Sequence, residues 1–182
     1  MAGTKAMTLT LAIDTSTSRT IVGIIDGTSV LFEKFHEGAT DHGRALSELV
    51  AEALKASAPP QQVVVGMGPG PFTGLRVGIS FAHTFGLARN IPVIGICSLD
   101  AIDIDQSEYT VAIDARRKEI YWARYKDGVR IEGPSVSKPA EVDGFIIDHY
   151  PDMKKLVALS ASQNVTEPMY LRRPDAVPTA ER

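Results

Sequence analysis

The sequence predicts an α/β protein, and three observations carry that class. Short β-branched, apolar runs alternate with segments of helical spacing. A glycine-dense stretch, Gly66 to Gly74, lies between a buried-strand run and a helical segment, an arrangement in which α/β proteins often hold ligands. A strand-turn-strand beginning at Ala12-Ile13-Asp14 and closing at Asp26-Gly27 recurs as Ala112-Ile113-Asp114 closing at Asp127-Gly128.

Thr8 to Thr15, Thr20 to Asp26 and Ser29 to His36 read as strands, with Asp26-Gly27 as the hairpin turn between the last two. In the segment from Asp41 to Leu54, residues Leu46, Leu49, Val50, Ala53 and Leu54 share one helical face. Asp41 is placed as N-cap, and Pro59-Pro60 ends the element. Val63-Val64-Val65 is a buried strand. The glycine-rich turn follows, then a helix from about Gly74 to Arg89 stopped by Asn90 and Pro92, then a strand from Pro92 to Ile96. Ser98-Leu99-Asp100 starts a short helix. The prolines between Glu167 and Pro174 forbid a regular helix and predict an extended tail, pinned by Met169, Tyr170 and Leu171.

The order β-β-β-α-β-α-β resembles one lobe of the ribonuclease-H-like fold of the actin-like ATPase superfamily, and the internal echo fits its two-lobed architecture. The expected division is 1–108 for the first lobe and 109–182 for a reduced second lobe.

The chain has 182 residues, 44% of them hydrophobic, enough to bury a substantial core. A net charge of −3 supplies no global field for nucleic acid. A single cysteine, Cys97, excludes an internal disulfide and fits a reducing compartment. The amino-terminal apolar run carries Lys5 but breaks at Asp14, too soon for a signal peptide or membrane span, so a cytoplasmic location is expected.

The superfamily's ATP site needs two phosphate loops, each an aspartate followed by glycines. Here the loops read Asp14-Thr15-Ser16-Thr17-Ser18 and Asp114-Ala115-Arg116-Arg117-Lys118, without glycine. Asp14, Thr15, Ser16 and Asp114 are therefore degenerate phosphate-loop positions, with hydrogen bonding inside their own hairpins as the plainer role. The glycine-rich turn lacks the Lys-Ser/Thr of a Walker loop and the spacing of a dinucleotide fingerprint, and Pro69 and Pro71 remove two N–H donors. A stiff, shaped turn is expected there rather than a phosphate cradle.

Gly78, Ala82 and Gly86 recur every fourth residue on the second helix, with apolar residues around most of its circumference. That pattern fits either a central helix or one completed by a partner. His36, His42, His83 and His149 lack metal-site spacing, and no G-x-S-x-G elbow is present, so no metal, cofactor or catalytic set is expected. His42, in the first turn of a helix, reads as a surface or interface hydrogen bonder. Arg116, Arg117 and Lys118 at a hairpin tip, with Arg172 and Arg173 in the tail, form the basic clusters, solvated or in minor contact with RNA or a partner.

Four segments together resemble the TsaB (YeaZ) family of tRNA threonylcarbamoyladenosine biosynthesis: Ala12 to Ser16, Gly68 to Gly78, Asp114 to Arg117, and Tyr170 to Arg172. The resemblance covers about residues 8 to 125 and thins afterwards. It implies a non-catalytic subunit that pairs with the catalytic paralogue TsaD, and through the complex with the ATPase TsaE, to place threonylcarbamoyl on the adenosine beside the anticodon. Contact with tRNA would come through the complex, and a homodimer is the alternative pairing.

In the family, the two helices of the first lobe build the dimer surface. That maps onto His42, Leu46, Leu49, Ala53, Leu75, Gly78, Ile79, Ala82, Phe85 and Gly86. TsaD has a metal-binding histidine pair on its first helix, whereas this chain has His42 alone. Two departures stand out: Pro71 replaces the family's serine, and the second lobe is shorter than the family's. The competing readings are a small kinase using Asp14 and Asp114 around magnesium, and a peptidase.

Overall fold

The computed structural model describes residues 8–172. Lys5, Arg173 and the tail beyond lie outside the described residues. Three strands come first: β1 (Leu9–Asp14), β2 (Arg19–Asp26) and β3 (Ser29–Glu37). Helix α1 (His42–Ala56), strand β4 (Gln62–Gly66), helix α2 (Phe72–Arg89) and strand β5 (Val93–Ile96) follow. A 3-10 turn at Ser98–Ala101 leads into β6 (Glu108–Asp114), β7 (Ile120–Lys126), β8 (Val129–Ser137), β9 (Phe145–Ile146) and helix α3 (Met153–Leu159).

The first sheet has the order β3-β2-β1-β4-β5, antiparallel among β1 to β3 and parallel from β1 through β4 to β5. This is the arrangement predicted from the sequence order. The second sheet runs β8-β7-β6-β9. The Ala12-Ile13-Asp14 echo is real at the level of structure, since Ala112-Ile113-Asp114 ends a strand that pairs antiparallel with the next.

Period-2 alternation sends β1, β2 and β4 side chains to opposite faces, and both faces are covered. Leu11, Ile13, Val22, Ile24, Val63 and Val65 pack under α1 and α2. Ala12, Ile21, Ile25 and Val64 face the other way, against Met153 and Leu156 of α3. Residues 153–159, which follow the second sheet in the chain, thus return to close the first. The tail continues that return. Gly95 O accepts a hydrogen bond from Val165 N at 2.7 Å, and Met67 O accepts one from Met169 N at 2.8 Å. Met169 and Leu171 pack on the core of the second sheet, as the pinned-tail expectation required.

Two local expectations differ. Asp41 sits at the N-cap of α1, but its side chain makes no cap bond; it turns to the Arg44 guanidinium instead. Helix α2 starts at Phe72, two residues before Gly74, directly after Pro71.

Candidate functional site

The glycine-rich turn joins β4 to α2 and lies flat against the β1–β2 turn. Asp14, at the end of β1, is fully buried. Its Oδ1 accepts from Ser16 N at 2.8 Å and Ser16 Oγ at 2.6 Å, and its Oδ2 accepts from Ser98 Oγ at 2.6 Å. Ser98 Oγ also accepts from Gly68 N at 3.2 Å, and Ser98 N donates to Gly68 O at 2.8 Å. One carboxylate therefore rivets the ends of β1 and β5 to the glycine-rich turn. Burial pushes the Asp14 carboxyl above its ordinary value, against three hydrogen bonds that lower it.

The glycines are dictated by this closeness. A Cβ on Gly66 would stand 1.8 Å from Asp14 Oδ2, and one on Gly70 would stand 2.5 Å from Ser16 O. The turn packs against the protein's own backbone at Ser16 and the buried Asp14 side chain. The turn acts as a joint between β1, β4 and β5.

Asp114 behaves differently. It is exposed, and its Oδ1 accepts from Arg116 N at 2.8 Å inside its own hairpin. It lines a cavity of about 230 Å³ with Thr17, Ser18, Arg116 and Tyr150. Asp14 does not reach that cavity, so the two aspartates are not brought together around a common space.

Most of the residues expected at a partner surface lie inside this chain. Nine of the ten (His42, Leu46, Leu49, Ala53, Leu75, Gly78, Ile79, Ala82 and Gly86) are buried within this chain, and Phe85 is half-buried. The small-residue strip faces inward. A Cβ on Gly78 would stand 2.4 Å from Thr15 Oγ1, and one on Gly86 would stand 2.4 Å from Val93 Cγ2. The strip exists so that α2 can lie on the chain's own β1–β2 turn and β5. Thr15 completes that fit, donating to Gly74 O at 2.8 Å and accepting from Gly78 N at 3.2 Å. The exposed residues of α2 include Phe72, Arg76, Ser80, His83, Thr84 and Leu87, the last 85% exposed.

His42 is likewise an interior residue. Its Nδ1 meets Thr20 Oγ1 at 2.8 Å, and burial holds the imidazole below its ordinary pKa. Among the described residues no group of three or more metal-ligating side chains is found. No described helix is long and apolar enough to cross a membrane.

Sequence reasoning missed Ser98, whose partner Asp14 lies 84 residues away. It also missed Arg19, whose guanidinium sits 4.2 Å from the Phe35 ring and 3.6 Å from the Tyr150 ring. A third omission is the cluster joining the 3-10 turn to the second sheet. There Asp100 Oδ1 accepts from Tyr125 Oη at 2.8 Å and lies 3.1 Å from Arg130 Nη1, which also donates to Cys97 Sγ at 3.0 Å. Burial pushes the Cys97 thiol up to about 11, which keeps it protonated and inert at neutral pH.

With this geometry in hand, comparison with known proteins is direct. The family model described as TsaD, tRNA N6-adenosine threonylcarbamoyltransferase, matches residues 36–176. An uncharacterized protein of Mycobacterium leprae is 42% identical over 204 aligned positions, which take in 94% of this chain and 57% of that protein. TsaB of Escherichia coli, a tRNA threonylcarbamoyladenosine biosynthesis protein, is 32% identical over 127 positions, or 64% of this chain and 54% of TsaB. This chain therefore spans little more than half the length of either. The alignment of 204 positions uses 94% of 182 residues, so about thirty positions of the mycobacterial protein face gaps here. Among solved structures, YeaZ from Pseudomonas aeruginosa superposes with a TM-score of 0.72 at 22% identity, covering 84% of this chain and 90% of YeaZ.

Proposed function

Because the chain belongs to the TsaD-type family, on its TsaB (YeaZ) branch, we propose that within tRNA threonylcarbamoyladenosine biosynthesis it acts as a non-catalytic scaffold. In this reading it heterodimerises with a TsaD-like catalytic subunit and meets a TsaE-like ATPase and tRNA only through the assembled complex. The setting is the cytoplasm. The division into an amino-terminal lobe, 1–108, and a reduced carboxyl-terminal lobe, 109–182, belongs to the same proposal.

One observation carries it. The place where this fold would admit a nucleotide phosphate is closed by Asp14, Ser16, Ser98 and the glycine-rich turn bonding one another. The Ser16 N–H and the Ser16 and Ser98 hydroxyls, which could otherwise face a phosphate, already donate to that buried carboxyl. The small-kinase reading needs Asp14 and Asp114 to face a shared space, and Asp14 is fully buried and does not line the cavity at Asp114. This supports the scaffold over the small-kinase alternative.

The catalytic alternative has a simple check. Incubation of the chain with Mg-ATP and small acceptors is expected to release no phosphate or ADP above the protein-free rate. Sustained turnover that tracks the purified protein would overturn the scaffold assignment.

A further inference from the structure

The two sheets of the described chain have four edges, and three of them are guarded. At β5, Gly95 O accepts from Val165 N at 2.7 Å and Gly95 N donates to Asn164 Oδ1 at 3.1 Å, so the returning tail occupies the edge. Strand β8 carries Pro134, which has no N–H, after Gly133 at a φ of 85°. Strand β9 is two residues long. Short strands, prolines and covering loops are the usual devices against unwanted pairing.

Strand β3 has none of them. It is nine residues long without proline, pairs with β2 without interruption from Phe32 to Glu37, and has no strand on its other side among the described residues. Its apolar side chains are not withdrawn either: Val30, Leu31 and Phe35 are 47%, 51% and 56% exposed. Val30, Glu33 and Phe35 pair with Ile25, Gly23 and Ile21, which face α3, yet α3 leaves all three exposed. The Arg19 guanidinium, stacked on both Phe35 and Tyr150, holds the Phe35 ring in place.

The charges on β3 select the occupant. Lys34 pairs with Glu52, and Glu37 with Arg19. Glu33 has no hydrogen-bond or ion-pair partner among the described residues. Partial burial, then the Asp152 carboxylate, push its carboxyl above the ordinary value, as befits a carboxylate without a cation. A second copy of the chain does not supply one. Antiparallel pairing about a two-fold axis at Glu33, Lys34 or Phe35 sets Glu33 against Glu33, Lys34 against Lys34, or Glu33 against Glu37 of the other copy.

We propose that the free edge of β3 docks an extended segment of a partner protein, one that carries lysine or arginine between apolar residues. Such a segment adds a strand beyond β3. Main-chain hydrogen bonds supply affinity, and alternate side chains supply specificity: the cation meets Glu33 and Asp152, and the apolar residues meet Val30 and Phe35. Helix α2 lies over β4 and β5, toward the other end of the sheet. This edge and the heterodimer proposed above therefore stand or fall separately.

The test uses the full chain and two labelled nine-residue peptides, with valine at alternate positions, threonine between them, and lysine or glutamate at the centre. Fluorescence anisotropy is expected to show saturable binding of the lysine peptide. It should bind about tenfold more tightly than the glutamate peptide, the scale of exchanging an attractive for a repulsive cross-strand pair. Amide hydrogens of β3 should gain exchange protection when the lysine peptide is bound. Glu33→Lys should invert the preference, and the nearly isosteric Glu33→Gln should remove it. Neither should lower the Tm, because each removes a carboxylate crowded by Asp152. No saturable binding, equal affinity for the two peptides, a preference unchanged in both variants, or a parent chain that self-associates through β3 would overturn the proposal.

Discussion

Gly66→Ala should unfold more of this protein than any other single-methyl change near the glycine-rich turn. The new Cβ would stand 1.8 Å from Asp14 Oδ2 and 2.5 Å from Ser98 Oγ. One of two things must yield. If Asp14 leaves, Ser16 N, Ser16 Oγ and Ser98 Oγ lose their acceptor in a dry interior. If β4 moves instead, its parallel registers with β1 and β5 are disturbed at their ends. Either route costs about 3–5 kcal/mol, the range for breaking a buried hydrogen-bonded network. Urea unfolding of the isolated chain measures it directly. A loss below about 1 kcal/mol would mean that the joint is not as tight as described. Gly43→Ala is the matched control: nothing lies within 4 Å of its added Cβ and Gly43 is in α1, so the change should not destabilise the chain.

The second large effect concerns assembly. Because the Gly78–Ala82–Gly86 strip lies against the chain's own Thr15 and Val93, a bulky residue at Ala82 is expected to damage folding, not partner choice. The outward stripe of α2 carries the opposite expectation. A Leu87→Glu, Thr84→Arg double substitution changes only exposed positions, Leu87 at 85% exposure among them. It should leave the chain's own Tm within a degree or two, while weakening association with a TsaD-like subunit by about a hundredfold, the scale of losing an interface anchor. Titration by calorimetry, with circular dichroism as the folding control, separates the two. Full affinity in the double variant would move the contact surface off α2.

These contrasts show which parts of the molecule are legible in the chain. The strands β1 to β5 and helices α1 and α2 were readable because both periodicities are strong, and the turns at Asp26-Gly27 and Asn90 are written in residues that tolerate left-handed backbone. The direction in which the α2 strip faces was not. Spacing defines a flat face on a helix but says nothing about which neighbour uses it, and here the neighbour is Thr15 at the end of β1. Nor was Ser98 legible. A serine after a buried strand is unremarkable until folding carries it to Asp14, 84 residues away. Helix α3, only seven residues long, offers too few turns for a periodic signal, although it closes the back of the first sheet.

On the scaffold proposal, the chain works by completing a catalytic paralogue rather than by chemistry of its own. The most direct measurement purifies it with the TsaD-like subunit from the same source and assays threonylcarbamoyl transfer to tRNA with and without it. The account predicts a stable one-to-one complex and transfer that falls to background when the chain is left out. A catalytic subunit that elutes alone and modifies tRNA equally well without it would contradict the account.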